Sequence, residues 1–95
     1  MNYYFTIVRI FGKKGSIEIL SILLDKGKLY QDELGNFVGM KGGQLVDRVK
    51  ELREYGLIDW EIEDKFGGKK WIFLTEKGKK IAKYLVEIEK IMEEG

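Results

Sequence analysis

The stretch LREYGLIDWEIEDKFGGKKWIFLTEKG, residues 52–78, decides the fold, because its hydrophobic period changes from about 3.6 residues to about 2. Ile58, Trp60 and Ile62 alternate with acidic residues, which predicts a half-buried strand. Residues 64–70, DKFGGKK, form a turn with two glycines available for positive φ, and residues 71–74 form the returning strand. The stretch therefore predicts a β-hairpin.

Two short helices precede this hairpin. Residues 43–55 place Leu45, Val49 and Leu52 at positions i, i+4 and i+7, which predicts a helix that Gly56 ends. Residues 31–38 predict a shorter helix that buries Leu34, Phe37 and Val38 before Gly39 breaks it. Two short helices joined by a tight turn containing glycine are typical of a helix-turn-helix.

The N-terminal part of the chain predicts a further helical layer. Ser16 is the expected N-cap of a helix that runs to Lys26 and ends at Gly27. Residues 3–11, YYFTIVRIF, have helical spacing, although their alternation also allows a strand. A short segment, residues 28–30, separates the helix that ends at Lys26 from the helix over residues 31–38.

The C-terminal part predicts one long helix. Thr75 caps it, and it runs to about residue 93, so its length is about 28 Å at a rise of about 1.5 Å per residue. The complete order predicts an α+β fold, a winged helix-turn-helix with a three-helix core, a β-hairpin wing and a long C-terminal helix. The chain length of 95 residues predicts a single domain over residues 1–95.

The composition excludes most enzyme classes. The chain has no cysteine and no histidine, which removes disulfides, thiolate nucleophiles, Cys/His zinc sites and histidine acid–base chemistry. We therefore expect no enzyme and no cofactor. The longest uncharged apolar run, which starts at Asn2, ends before Arg9, too short for a signal peptide or a membrane span, so we expect a cytoplasmic protein without a membrane partner.

Three phrases, in order along residues 8–85, resemble those of HxlR-type regulators, a branch related to the MarR regulators. Residues 12–20, GKKGSIEIL, resemble the phrase G-K-x-W-x-x-x-I-L; residues 52–58, LREYGLI, resemble L-x-x-x-G-L-[IV]; residues 74–80, LTEKGKK, resemble L-T-x-x-G. The resemblance implies a homodimeric transcription regulator that binds double-stranded DNA. It also implies that the helix over residues 43–55 enters the major groove and that the wing lies beside the backbone or the minor groove.

This chain departs from the HxlR pattern at several positions. Gly15 stands where the family has tryptophan, and the cysteine of the redox-sensing relatives is absent. Lys41-Gly42-Gly43-Gln44 replaces a start such as Ser-Pro-Lys-Thr. Abundant Lys, Glu and Ile fit a protein built for high temperature, and with the resemblance they predict a thermophilic archaeon or its virus as the source.

Positive charge is concentrated in one region although the net charge is only +1. From Lys65 to Lys83 there are seven lysines against the single acid Glu76, while the C-terminal tail is acidic. This pattern indicates either an ordinary solvated surface or a phosphate-facing patch.

The candidate DNA contacts come from the helix over residues 43–55 and from the hairpin tip. Arginine can read guanine and glutamine can read adenine, although any exposed helix carries such residues. Asp47 either accepts from a cytosine amino group or pairs with Arg48 or Lys50, and Phe66 either contacts a partner or folds over Trp71. The helix face opposite the core also carries Lys50 or Glu51. The residues that we select as candidate DNA contacts are Lys41, Gly43, Gln44, Arg48, Lys65, Lys69 and Lys70.

The final helix carries a hydrophobic stripe with 4-3-4 spacing. The stripe predicts a dimer seam of antiparallel or crossing helices over residues 76–93, with packing on the chain's own core as the alternative. Its residues, together with one from the N-terminal segment, are Tyr4, Ile81, Tyr84, Leu85, Ile88, Ile91 and Met92. No residue pattern identifies a small-molecule effector.

Two functions remain open at this point. The first is sequence-selective binding of duplex DNA by a homodimeric regulator. The second is a winged-helix protein–protein interaction module without direct DNA reading, which the weak net charge, Asp47 and Phe66 favour.

Overall fold

The structure is a computed structural model that describes residues 3–64 and 67–95, and only the backbone of residues 3 and 4. Within these ranges the chain forms five α-helices and three β-strands. Residues 3–11, for which a strand was the alternative, form a helix. The elements in chain order are α1 (Tyr3–Phe11), α2 (Ser16–Lys26), β1 (Leu29–Tyr30), α3 (Gln31–Val38), α4 (Gly42–Glu54), β2 (Ile58–Ile62), β3 (Lys70–Leu74) and α5 (Glu76–Met92).

The three strands form one antiparallel sheet in the order β1-β3-β2. In the hairpin, Ile58 is opposite Leu74, and Trp60 is opposite Ile72. The short β1 pairs with the other edge of β3, where Leu29 is opposite Ile72. This hairpin follows α3 and α4 directly, so the predicted winged helix-turn-helix fold is confirmed.

The hydrophobic core joins all layers of the fold. Leu20 of α2, Leu34 of α3, Leu52 of α4 and Ile72 of β3 are each almost completely buried. Ala82 of α5 belongs to the same cluster, so α5 closes the core formed by the three helices and the sheet. This packing fixes α4 relative to the wing.

The starts of α2 and α5 test the two N-caps that the sequence predicts. The prediction that Ser16 caps α2 is wrong: Gly15 is the N-cap with φ 88°, and Ser16 is the buried first residue of the helix. A Cβ at residue 15 would overlap the sulfur of Met40, so the tight loop requires glycine. The predicted cap at Thr75 is confirmed, because Gly78 N donates to Thr75 Oγ1 at 3.0 Å.

Two residues expected in the core are exposed. Ile62 is 66% exposed because it pairs with Lys70 at the far end of the hairpin, where the sheet extends past the helices. Phe37 is half-exposed at the end of α3, with the ammonium of Lys26 lying 5.4 Å from its ring centroid. The boundaries of α4 and α5 differ from the predicted ones by one residue. In the described part of the chain, no helix has the length and apolar character needed to cross a membrane.

Candidate nucleic-acid interface

The exposed face of α4 is the first part of the candidate interface. Leu45, Val49 and Leu52 face the core, which leaves Gln44 and Lys50 exposed with the rest of the outer face. The helix can therefore present polar side chains to a groove without disturbing the core.

The start of α4 is open. Lys41 is the N-cap, and Gly42 follows it with φ 62°. A Cβ at Gly42 or Gly43 would meet no atom within 4 Å, and the first turn of the helix contains no acidic residue. Backbone N–H groups at such an end favour an anion, since nothing in the first turn neutralises the helix dipole.

Arg48 lies in an internal network. Its Nε donates to the backbone oxygen of Lys14 at 2.7 Å, its Nη1 donates to Glu51 Oε2 at 2.9 Å, and its side chain is only 11% exposed. These contacts tie the loop before α2 to α4. The base or phosphate contact expected of Arg48 stays a prediction, and it requires Arg48 to share or release these bonds.

Asp47 makes no ion pair with any described residue.

Glu51 holds this network together. Lys13 Nζ donates to Glu51 Oε1 at 3.0 Å, while Arg48 binds the other carboxylate oxygen. The hydrogen bond from Lys13, followed by the nearby charge of Arg48, keeps the pKa of Glu51 below its ordinary value of 4.5 despite opposing desolvation. Glu51 therefore stays ionised in mildly acidic solution.

Replacing this carboxylate, by Glu51→Gln, is expected to make stability less dependent on pH. A lowered pKa in the folded state adds stability above about pH 4.5, and this contribution is lost as the pH falls through the folded-state pKa. The variant should thus be less stable than wild type near neutral pH, by roughly 1 kcal/mol for an ion pair of this exposure. The difference should shrink in acid.

The measurement for Glu51 is urea unfolding across a pH series. Glu94→Gln is the matched control, since Glu94 contacts no cation within residues 3–64 and 67–95. A stability difference between wild type and Glu51→Gln that is unchanged from about pH 7 to about pH 3 would show that the network contributes nothing through ionisation.

The lysines of the wing rest on aromatic rings. Lys69 Nζ lies 3.8 Å from the ring centroid of Tyr30, and Lys70 Nζ lies 3.7 Å from that of Trp60. Neither ammonium has a carboxylate partner among the described residues. Both lysines lie at the loop end of the wing, because Lys70 is the first residue of β3, opposite Ile62, and Lys69 precedes it in the loop.

The tip of the wing is only partly described. Lys65, a candidate contact, and Phe66, a candidate partner residue, lie outside the described residues. Glu63 anchors the described side of the loop, where Trp71 Nε1 donates to its Oε1 at 2.8 Å. Its backbone N–H also donates to the oxygen of Lys69 at 2.9 Å.

Arg53 is a cation that sequence reasoning missed. It lies one turn after Lys50 on α4, with its Cζ 4.0 Å from the ring centroid of Trp60, and its Nε donates to Asp59 Oδ1 at 3.0 Å. The i, i+3 spacing from Lys50 was a readable signal, since such residues share a helix face. The contact with Trp60 joins α4 to the wing.

The stripe on α5 divides into two parts. Ile81 and Leu85 are half-buried and pack against the chain's own core, as the alternative for this helix required. Four further residues of the stripe have no described partner and are exposed: Tyr84, Ile88, Ile91 and Met92. Phe5, Ile7 and Val8 of α1 are also exposed, while the side chain of Tyr4 lies outside the description.

Comparisons with known proteins agree with this architecture. A family model described as HxlR-like helix-turn-helix matches residues 10–94. No curated protein sequence gives a significant match.

Three solved structures illustrate the likeness in fold. A protein described as a MarR-family transcriptional regulator from Porphyromonas gingivalis W83 is 24% identical, with a TM-score of 0.82 over 98% of this chain and 92% of that one. A transcriptional regulator homologue from Pyrococcus horikoshii OT3 is 19% identical, with a TM-score of 0.76 over 88% and 84%. The reduced form of the regulator YodB from B. subtilis is 21% identical, with a TM-score of 0.74 over 95% and 89%. At these identities each likeness shows the fold alone.

Proposed function

The chain belongs to the HxlR-like helix-turn-helix family, and from that premise we propose that it is a homodimeric transcription regulator that binds double-stranded DNA sequence-selectively. The family and the structural neighbours are transcription regulators, so the prediction that the chain is no enzyme is confirmed. In this proposal α4 enters the major groove, and the wing lies on the backbone or in the minor groove. Residues 1–95 act as one DNA-binding domain.

The observation that carries the proposal is the pairing of an exposed polar helix face with unneutralised cations beside it. Gln44 and Lys41 stand at the open end of α4, where Gln44 has the donor and acceptor that suit adenine. Lys69 and Lys70 stand at the wing without carboxylate partners in the described part of the chain. Local positive charge of this kind can bind phosphates although the net charge of the chain is only +1.

The exposed part of the α5 stripe supports a homodimer. A continuous apolar face of this kind usually marks an interface. The first half of α5 carries four lysines against one glutamate, and residues 85–95 carry four glutamates against one lysine. Antiparallel pairing of two copies therefore places opposite charges together, and a two-fold dimer presents both α4 helices to one side of the duplex.

A fluorescence anisotropy titration with labelled duplex DNA across a salt series tests the proposal. We expect a Kd well below about 10⁻⁴ M at low salt, with a log–log salt slope of about −0.9 for each phosphate neutralised. Binding no tighter than about 10⁻⁴ M at low salt removes the proposal, because non-specific DNA binders usually do better.

The same titration separates the alternative function. In a winged-helix module that binds only proteins, the wing lysines contribute nothing to DNA affinity. Under the proposal, the double variant Lys69→Ala plus Lys70→Ala weakens DNA binding and makes the salt slope less steep by up to about 1.8, the value for two phosphates. Absence of DNA binding in wild type and variant alike favours the interaction module, whereas an unchanged curve from a wild type that binds removes the two wing lysines from the DNA interface.

A further inference from the structure

The ring of Trp60 is the point where α4 and the wing meet. Arg53 Cζ from α4 lies 4.0 Å from its centroid, and Lys70 Nζ from β3 lies 3.7 Å from it. Trp60 itself is half-buried in β2. Two cations from elements distant in sequence are thus held within a few ångströms of one rigid ring.

Positive charge at this ring exceeds negative charge. Arg53 has Asp59 as its partner, but neither Lys50 nor Lys70 pairs with a carboxylate among the described residues. Desolvation, followed by the charges of Arg53 and Lys50, lowers the pKa of Lys70. The repulsion between the three cations is a cost that an anion placed between them would remove.

Asp59 sets the orientation of Arg53 without cancelling the whole cluster. Its Oδ1 accepts from the backbone N–H of Trp60 at 2.8 Å and from Arg53 Nε at 3.0 Å. The guanidinium is thereby fixed over the ring, with its Nη groups not engaged by any described residue. A planar guanidinium with free N–H groups beside two lysines suits a phosphate oxygen.

We propose that Arg53 and Lys70, which both lie against the ring of Trp60, form one cleft with Lys50, one turn before Arg53 on α4, and that this cleft binds a single phosphodiester group of the DNA backbone. This inference rests on the proposed function, because a DNA strand that runs from α4 to the wing passes the side of the hairpin that carries Trp60 and Lys70. One phosphate held from both elements fixes the position of the wing relative to the groove that α4 occupies. The cleft therefore sets the register of the protein on the duplex.

The test compares salt slopes of DNA binding for Lys50→Gln, Lys70→Gln and the triple variant Lys50→Gln, Arg53→Gln and Lys70→Gln. If the three cations serve one phosphate, the triple variant makes the slope less steep by about 0.9 in total, and each single variant changes it by less. Two separately held phosphates would instead give about 1.8. Lys26→Gln is the matched control, because Lys26 also lies over an aromatic ring, that of Phe37, but at the end of α2 and not on α4 or the wing.

A second readout follows the ring itself. In the Trp71→Phe background Trp60 is the only tryptophan, so its fluorescence reports the cleft. Duplex DNA is expected to change this fluorescence when both lysines are present and to change it much less in Lys50→Gln plus Lys70→Gln. Thermal unfolding of each variant establishes that the fold is intact, and Lys50 is an exposed position whose substitution leaves the core untouched.

The outcomes are separable. A slope change of about 0.9 for the triple variant, with Lys26→Gln like wild type, supports the cleft. A slope equal to that of wild type, or a change of about 1.8, overturns the cleft while leaving DNA binding established. Failure of wild type to bind duplex DNA overturns both the proposed function and the cleft.

Discussion

Replacing Ile88 by glutamate is expected to convert the protein from a dimer into a monomer and to lower its affinity for a two-site duplex at least about 100-fold. Ile88 is 55% exposed in the middle of the unpartnered part of the α5 stripe. Burial of one isoleucine side chain stabilises an interface by about 1.5–3 kcal/mol. In a two-fold dimer Ile88 of both copies is buried, so this contribution occurs twice. The introduced carboxylate would place an unpaired charge at both equivalent positions. Loss of the second half-site removes an avidity of about 10²–10⁴.

Sedimentation velocity and DNA titration of the same samples check this expectation. Phe37→Glu is the control for oligomeric state, since Phe37 is a similarly exposed apolar residue that lies on α3 rather than on the stripe. We expect that control to remain dimeric. An Ile88→Glu variant that still sediments as a dimer, or a wild type that is already a monomer, contradicts the assigned seam.

The second large effect is expected at Gly78, where alanine should destabilise the fold by roughly 3 kcal/mol. Gly78 lies in the first turn of α5 against the start of β2, and an added Cβ would overlap the carbonyl oxygen of Leu57. The backbone cannot move aside, because Thr75 N donates to that same oxygen at 3.1 Å. Overpacking of this kind costs about 1–3 kcal/mol or more. In an open helix the same change stabilises by up to about 1 kcal/mol.

Thermal unfolding checks the Gly78→Ala prediction, because the expected change in Tm is opposite in sign to that of the same substitution in an open helix. Gly43→Ala is the matched control for stability, since residue 43 lies in the first turn of α4 with no atom near an added Cβ. We expect the control to hold or raise Tm and Gly78→Ala to lower it by roughly 4–8 °C per kcal/mol. A Tm for Gly78→Ala at or above that of wild type would mean that α5 does not pack on Leu57 as described.

The elements of this fold were predictable because local sequence determines them. Helical spacing and the glycines after each helix indicated α2, α3 and α4, and the change of period after Gly56 indicated the hairpin. Ser16 is not the cap because the helix already begins at that residue, after a left-handed Gly15 whose packing against Met40 is a tertiary contact. The exposure of Ile62 has the same origin, since its alternation continues beyond the end of the core.

The candidate site was predictable only in part. Composition and helix phase identified Gln44 as an exposed polar group and the wing lysines as exposed cations. Neither signal indicates which aromatic ring a lysine contacts. The bond from Arg48 to the backbone of Lys14 joins residues 34 positions apart, and the contact of Arg53 with Trp60 depends on how the turn after α4 places β2. The thermophilic source stays a prediction.

Selection of bound sequences from a pool of random duplexes tests the central claim most directly. A homodimer that inserts two α4 helices should enrich a palindrome whose half-sites lie about one helical turn apart, roughly 34–36 Å centre to centre. The enriched duplex should bind more tightly than unselected DNA at the same salt concentration. Recovery of no enriched sequence, or of a single asymmetric site, would contradict sequence-selective binding by a symmetric dimer.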